Sequence, residues 1–294
     1  MFAADHQANG SEYAVGKRSR RLTQMNADQK EGMGGQSRPV ALITGASSGI
    51  GLDLAKLFAQ GGHDLVLVAR NEEALRGVAV DCEKLGVKAH VLAKDLSNSN
   101  SPQEIFDELE GGGIAVEVLV NNAGFGTHGM FVRTKLEEEV GMIQVNIVAL
   151  IQLTRLFLPQ MVLRKSGKIM NVASMAGFAP GPYMSVYYAT KAFVLSHSIA
   201  LAQEVKKSGV IVSALCPGPT KTDFQRRAKI AESKLFKKPR SLTSMEVARA
   251  GYEGLMKGKL IVVPGFSNKV IRVASKITPR RLLARIAGKM NRDR

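Results

Sequence analysis

From residue 39 onward, short apolar runs alternate with longer segments of helical spacing. The runs are VALIT (40–44), DLVLVA (64–69), KAHVLA (88–93), EVLVN (117–121), KIMNVA (168–173), VIVSALC (210–216) and KLIVVP (259–264). Each is brief, rich in β-branched residues and nearly continuous in its apolar character, as a strand buried on both faces requires. The segments between them, 50–60, 72–85, 102–110, 136–163, 188–207 and 245–257, carry apolar residues at helical spacing. Strands alternating with helices predict a parallel sheet, and right-handed crossovers make it doubly wound, with about seven strands and helices on both faces. No internal repeat and no second domain is marked, so 39–265 reads as one α/β domain. Before it lies a polar, Gly-rich extension, 1–38, expected to be disordered. After it comes a tail, 266–294.

Composition refines this picture. Apolar content of 45% and charge of 22% are those of an ordinary globular chain. No uninterrupted apolar run reaches about 18 residues, so no membrane-spanning helix is expected. The first residues lack the apolar block of a secretion signal. Two distant cysteines, Cys82 and Cys216, suit neither a disulfide framework nor a metal site, so a cytoplasmic protein without metal is expected, the two thiols serving as small hydrophobes. The net charge of +16 is concentrated: residues 1–38 carry +2, 220–240 carry +6 and 266–294 carry +8, leaving the rest balanced. A domain that reads DNA carries a basic face across its fold, so no specific nucleic-acid partner is expected.

The first strand runs into LITGASSGIG (42–51), with glycines at 45, 49 and 51. At a strand-to-helix turn, Gly45 permits a tight bend, Gly49 a close approach of backbone to ligand, and Gly51 close packing of helix on strand. The free N–H groups and positive dipole end of the helix then favour phosphate. The other reading is a structural turn that needs positive φ. Further along, YYATK (187–191) places Tyr187 and Lys191 on one helical face. A nearby ammonium stabilises a phenolate and lowers the tyrosine pKa, which suits proton transfer near neutrality; an isolated pair of this kind is otherwise two surface residues. Ser174 follows a strand and is either functional or a turn and cap residue. Asn146, in an apolar helical stretch, is core glue or a functional amide.

The spacing T-G-x-x-x-G-x-G, taken with DL (95–96), NNAG (121–124), Asn146, Ser174, Y-x-x-x-K (187–191) and PGPTKT (217–222), resembles the short-chain dehydrogenase/reductase family over about residues 39–265. The resemblance implies a Rossmann fold of the single-domain branch and an NADP(H)- or NAD(H)-dependent oxidoreductase interconverting a carbonyl and a secondary alcohol. It assigns Asn146, Ser174, Tyr187 and Lys191 as catalytic: Tyr187, rather than its neighbour Tyr188, as general acid/base, Ser174 polarising the substrate oxygen, Lys191 tuning the phenol and holding the nicotinamide ribose, Asn146 holding a relay water. It assigns Gly45, Ser47, Ser48, Gly49, Ile50, Gly51, Arg70, Asp95, Leu96, Asn122, Ala123, Gly124, Tyr187, Lys191, Pro217, Gly218, Thr220 and Thr222 as cofactor-binding, with Asp95 at the adenine, Thr220 and Thr222 near the carboxamide, and Asn121 supporting sheet and site. A homodimer or homotetramer built through 136–163 and 188–207 is implied as well.

The second strand ends in Ala69 and Arg70, where an NAD enzyme places an acid. Arg70 can pair with a 2′-phosphate, which favours NADP(H), or is a solvated loop charge. Around the substrate, Phe178, Tyr183, Met184, Phe224, Leu235 and Phe236 suggest an apolar pocket. The basic stretch 220–240 either attracts an anionic substrate or acidic carrier, or is a lid with solvated lysines. Where 3-oxoacyl-carrier reductases of the family carry VDGG, this chain has GKLIVVPGFSNK (258–269), which looks closer to a branch acting on lipid-like carbonyls. In the tail, Pro279 should divide two short helices, Val270, Val273, Ala274 and Ile277 on one and Leu282, Leu283, Ile286 and Met290 on the other, with Lys and Arg opposite. Such helices lie on an anionic membrane surface, as a peripheral contact, or pack on the domain or a partner subunit. The alternative function is a non-catalytic NADP-binding regulator or scaffold of the same fold.

Overall fold

The computed structural model describes residues 38–221 and 241–292. The chain divides into two units, Met1–Arg38 and Pro39–Arg294, and the described structure falls almost wholly in the second. Its order is β1 (Val40–Thr44), α1 (Gly49–Gln60), β2 (Asp64–Ala69), α2 (Glu72–Glu83), β3 (Ala89–Ala93), α3 (Ser101–Gly111), β4 (Val116–Asn121), α4 (Leu136–Ile143), α5 (Ala149–Arg164), β5 (Gly167–Val172), α6 (Ser185–Glu204), β6 (Val210–Leu215), β7 (Thr220–Lys221), β8 (Leu242–Thr243), α7 (Ser244–Met256), β9 (Ile261–Val262), α8 (Phe266–Ile277) and α9 (Arg280–Asn291). The doubly wound parallel sheet runs β3-β2-β1-β4-β5-β6-β9, and β7 pairs with β8 separately.

Register follows the apolar runs: Leu42 lies beside Val66 and Leu119, and Ile169 beside Leu119 and Val212. Because alternate side chains point to opposite faces, the same strands feed two cores. Ile43, Leu67, Val118, Met170 and Leu215 pack with Leu54, Phe58, Val247 and Leu255 on one face. Leu42, Val66, Leu119, Ile169 and Val212 pack with Ile105, Leu153, Phe157 and Leu201 on the other. The chain adds β2 and β3 to one side of β1, then returns to place β4 on the other. That reversal opens a crevice beyond the carboxyl ends of β1 and β4, where ligands of such sheets bind.

Leu136–Arg164 forms a continuous 29-residue helical run whose most apolar window has a mean hydropathy of 1.5, long and apolar enough to cross a membrane by length and composition. Scattered polar residues break its apolar run in sequence without lowering its average. Its buried side carries Asn146, Leu153, Thr154 and Phe157 against the sheet and α6, as in the core helix of a globular domain. Both thiols are buried, and burial pushes Cys82 up to about 11 and Cys216 up to about 12.

Candidate active site

A cleft of about 1790 Å³ lies over the crevice. Gly45, Ser47, Ser48, Gly49 and Ile50 border it from the first turn, Arg70 from the end of β2, Asp95 and Leu96 after β3, Asn122, Ala123 and Gly124 after β4, and Pro217, Gly218 and Thr220 after β6. Gly51 stands behind the turn, and Thr222 lies outside the described residues, as do Phe224, Leu235 and Phe236.

Local geometry explains the glycines. Gly45 and Gly49 have φ of +66° and +57°, in the left-handed region where a Cβ is strained. Gly51 is helical, but a Cβ there would run into the Gly45 carbonyl oxygen. Asn122 ties this turn to β4: its Nδ2 donates to the carbonyls of Thr44 (2.8 Å) and Gly45 (3.2 Å), while Thr44 Oγ1 accepts from the Asn122 and Ala123 amides at 3.0 Å each. Beneath it, Asn121 Nδ2 donates to Asn171 Oδ1 at 2.9 Å and Thr154 Oγ1 at 3.1 Å, and Asn171 donates to Ser198 at 3.0 Å. This buried ladder locks β4, β5, α5 and α6 together. At the β2 end Arg70 reaches Asp95 across the cleft mouth at 3.9 Å, both side chains well exposed.

Ser174, Tyr187 and Lys191 meet on the opposite wall. Ser174 Oγ accepts from the Ala176 amide at 3.1 Å, capping a 3₁₀ turn (Met175–Phe178), and also hydrogen-bonds the Tyr187 side chain. It is therefore both a cap and a partner of the phenol. Tyr183, at φ +67°, turns the chain sharply before α6 and brings Met184 and Tyr187 onto the cleft wall. Asn146 sits in a π-helical turn (Gln144–Val148) between α4 and α5. Its amide bonds both polar groups of the Phe125 backbone (3.1 and 3.0 Å) and donates to Thr190 Oγ1 at 3.1 Å, which in turn donates to the Tyr187 carbonyl at 2.8 Å. A Cβ on Gly124 would come within 2.9 Å of Asn146 Oδ1 and 3.4 Å of Lys191 Nζ, so only glycine leaves this corner open.

The electrostatics reverse one expectation. Burial pushes the Tyr187 phenol up to about 12; the Ser174 hydrogen bond pulls the other way, and Tyr188 adds to the rise. The Lys191 ammonium donates to the Val172 carbonyl at 2.8 Å and stands 5.9 Å from the Tyr187 ring centre, and burial outweighs it. Burial pushes that ammonium itself down to about 8. Phenol and ammonium thus both hold their protons at neutral pH, the ammonium less firmly.

Of the apolar residues expected around a substrate, Met184 lines the cleft, whereas Phe178 packs under the Arg272 guanidinium and against the cluster of Leu150, Val194 and Val263. The sequence reading grouped Leu283, Ile286 and Met290 on one stripe, to lie on a membrane or pack on the domain or a partner, but did not place that stripe on the cleft, which it lines together with Ala287. The i, i+3, i+7 spacing of Leu283, Ile286 and Met290 was the available signal. It missed also Thr190, a lone threonine with no local pattern, and Tyr188, which meets the Asn291 side chain at 3.3–3.4 Å.

A family model for short chain dehydrogenase matches residues 39–233. The very-long-chain 3-oxoacyl-CoA reductase of Laccaria bicolor is 39% identical over 181 residues, which are 60% of this chain and 53% of the relative. The ketoacyl reductase HetN of Nostoc sp. is 34% identical over 177 residues, 60% of this chain and 62% of that one. The match thus spans only about half to three fifths of these curated relatives. The solved short-chain dehydrogenase from Sphingobium yanoikuyae, in complex with NADPH, is 33% identical, with a TM-score of 0.72, covering 82% of this chain and 97% of its own. With the sheet order, the glycine turn and the Ser174–Tyr187–Lys191 wall in place, the chain belongs to the short-chain dehydrogenase/reductase family.

Proposed function

We propose that this chain is an NADP(H)-dependent oxidoreductase that interconverts an apolar carbonyl and its secondary alcohol, with Tyr187 as the general acid/base. The observation that carries the reading is the hydrogen bond between Ser174 and Tyr187 on the wall of the cleft that also holds the glycine turn. The residues fit a dinucleotide: the positive-φ turn opens a 12-residue helix toward the cleft, and the corner at Gly124 stays clear. Gly45, Ser47, Ser48, Gly49 and Ile50 would hold its phosphates, with Gly51 keeping the turn close. Arg70, with Ala69 rather than an acid beside it, would take a 2′-phosphate; Asp95 and Leu96 would hold the adenine; Asn122, Ala123, Gly124, Pro217, Gly218, Thr220 and Thr222 would hold the nicotinamide half. The NADPH-bound Sphingobium relative supports this choice.

When bound, the cofactor supplies or accepts the hydride. Tyr187, protonated at neutral pH, gives its proton to the developing alkoxide, and Ser174 donates a hydrogen bond to the same oxygen. Lys191 sits beside the phenol at a pKa of about 8, so it carries a proton near neutrality and yields it readily. Asn146, pinned by Phe125 and Thr190, fixes the rear of this corner and would hold a relay water. The wall of Met184, Leu283, Ile286 and Met290 suits an apolar substrate, in line with the acyl-chain relative from Laccaria. Val140, Ile151, Leu163 and Phe193, exposed along α4, α5 and α6, support assembly of a homodimer or homotetramer through those helices.

The test is an absorbance assay of NADPH oxidation against apolar ketones, aldehydes and 3-oxoacyl thioesters, with Tyr187→Phe beside the native chain. Turnover should fall by about 10²- to 10⁴-fold in the variant while NADPH still quenches fluorescence. NADPH binding with no turnover on any carbonyl would leave only the non-catalytic regulator.

A further inference from the structure

The two C-terminal helices dock in opposite senses. α9 turns its small side inward: Ala287 and Asn291 are buried, and Gly288 lies against Pro182, where a Cβ would stand 3.3 Å from the ring. α8 turns its polar side inward. Asn268 packs on Gly218 and donates to the Pro264 carbonyl at 2.7 Å, Arg272 covers the Phe178 ring at 5.8 Å, and Ser275 is half-buried. The outer side of α8 is therefore its apolar one: Phe266, Val270, Val273 and Ile277 are 82%, 51%, 63% and 85% exposed. Their spacing of i, i+4, i+7 and i+11 makes a single stripe along the helix. An amphipathic helix packed on a domain normally buries this stripe; here it is presented outward. Lys269 and Lys276 stand exposed beside it, and α9 adds exposed Arg280, Arg281, Arg285 and Lys289. From Phe266 to Arg292 no Asp or Glu occurs.

We propose that α8 docks this chain on an anionic lipid bilayer, its apolar stripe at the headgroup–acyl boundary and its basic flank on the headgroups. The charge pattern decides the occupant. A symmetric contact with a second copy would set the same acid-free basic patch against itself. A bilayer offers apolar depth and negative charge together. Phe266, at the start of the stripe, and Ile271 of α8 border the cleft with Leu283 and Ile286 of α9, so the docked hairpin holds the cleft mouth beside the lipid and an apolar carbonyl enters without crossing water. That last consequence rests on the proposed function; the docking does not.

The experiment is flotation of the full chain with vesicles of phosphatidylcholine alone and vesicles in which phosphatidylglycerol replaces part of it. The protein should rise with the anionic vesicles only, less so as salt is raised. Lys269→Gln with Lys276→Gln should lower the partition coefficient by about fivefold per charge. Val273→Glu with Ile277→Glu should abolish flotation. All four residues are exposed, so thermal unfolding and turnover of a water-soluble carbonyl should be unchanged in both pairs. A native chain left in the soluble fraction with anionic vesicles overturns the proposal, and so does flotation of the glutamate pair at native level. Loss of a larger oligomer in that pair, by light scattering, with flotation unaltered, would assign the stripe to self-association and overturn it too. A protein that floats but reduces no carbonyl leaves the docking standing and removes only the enzymatic reading.

Discussion

Asn291→Ala tests how the cleft wall is held. Asn291 ends α9 and is 1% exposed. Its Nδ2 donates to the Pro182 carbonyl at 3.0 Å, its amide meets the Tyr188 hydroxyl at 3.3–3.4 Å, and its own carbonyl oxygen meets His128 Nε2 at 2.6 Å. Alanine keeps the backbone contact and removes the side-chain ones. A neutral hydrogen bond contributes about 1 kcal/mol net, and a buried partner left without one costs about 1–3 kcal/mol. The bond to Pro182 is short and the one to Tyr188 long, and water can reach part of the site, so the loss should be about 2–3 kcal/mol. This loss should fall on α9 rather than on the domain, because Ala287 and Asn291 are the residues of that helix that are fully buried. Hydrogen exchange read by mass spectrometry should then show the α9 amides opening roughly thirty- to hundredfold more, since about 1.4 kcal/mol is tenfold. The amides of β1 and β4 should not change. With Leu283, Ile286 and Met290 loosened, KM for an apolar carbonyl should rise more than kcat falls. Native exchange in α9, or equal acceleration in α9 and the central strands, would refute the clasp.

Gly51→Ala places a Cβ against the Gly45 carbonyl and 2.5 Å from Asn122 Nδ2; overpacking of about 1–3 kcal/mol should lower Tm by roughly 2–10 °C and weaken NADPH binding in a fluorescence titration, and an unchanged Tm would show that the turn yields freely. Lys191→Met tests the lowered ammonium pKa: below about pH 8 the folded state carries a buried charge, while from there to about 10.5 the unfolded state binds the extra proton, so the Lys191 contribution to stability should rise with pH by about 1 kcal/mol between pH 8 and 9. Denaturant unfolding at those two pH values should show the native-minus-variant difference rising by that amount; the buried thiols, whose unfolded forms release protons in this window, lower the stability of both chains alike and cancel in the difference. Arg70→Ala should weaken NADPH binding about tenfold and leave NADH unaffected, the low end for a charge-assisted bond at an exposed side chain; parallel loss of both cofactors would exclude a contact to the 2′-phosphate.

The strands were legible because burial on both faces leaves no polar position to blur them: VALIT is β1, Val40–Thr44, residue for residue. KLIVVP shrinks to Ile261–Val262 because β9 is an edge strand with only β6 as neighbour, and Pro264 lacks an N–H to extend the ladder. The glycine turn was legible from spacing, but the Asn122 clamp that holds it joins residues 78 apart, which no local pattern records. The direction of the Tyr187 shift was misjudged for a similar reason. Helical spacing places an amine near the phenol, but how far each is desolvated depends on Met142 and Ala176, packed with Tyr187 from other segments, and on Met184 at the start of its own helix. The tail shows the limit most clearly. Periodicity fixes which residues of α8 and α9 share a face; it does not fix how either helix is rotated against the domain. That rotation is decided where backbone can approach closely, and a lone glycine carries no such signal in sequence. Gly218 admits Asn268 and so turns the apolar side of α8 outward, while Gly288 admits Pro182 and turns α9 so that its apolar residues reach the cleft. Two helices with similar amphipathic patterns thereby acquire different tasks: α9 gives its apolar residues to the cleft, while α8 borders the cleft with Phe266 and Ile271 and turns Val270, Val273 and Ile277 outward.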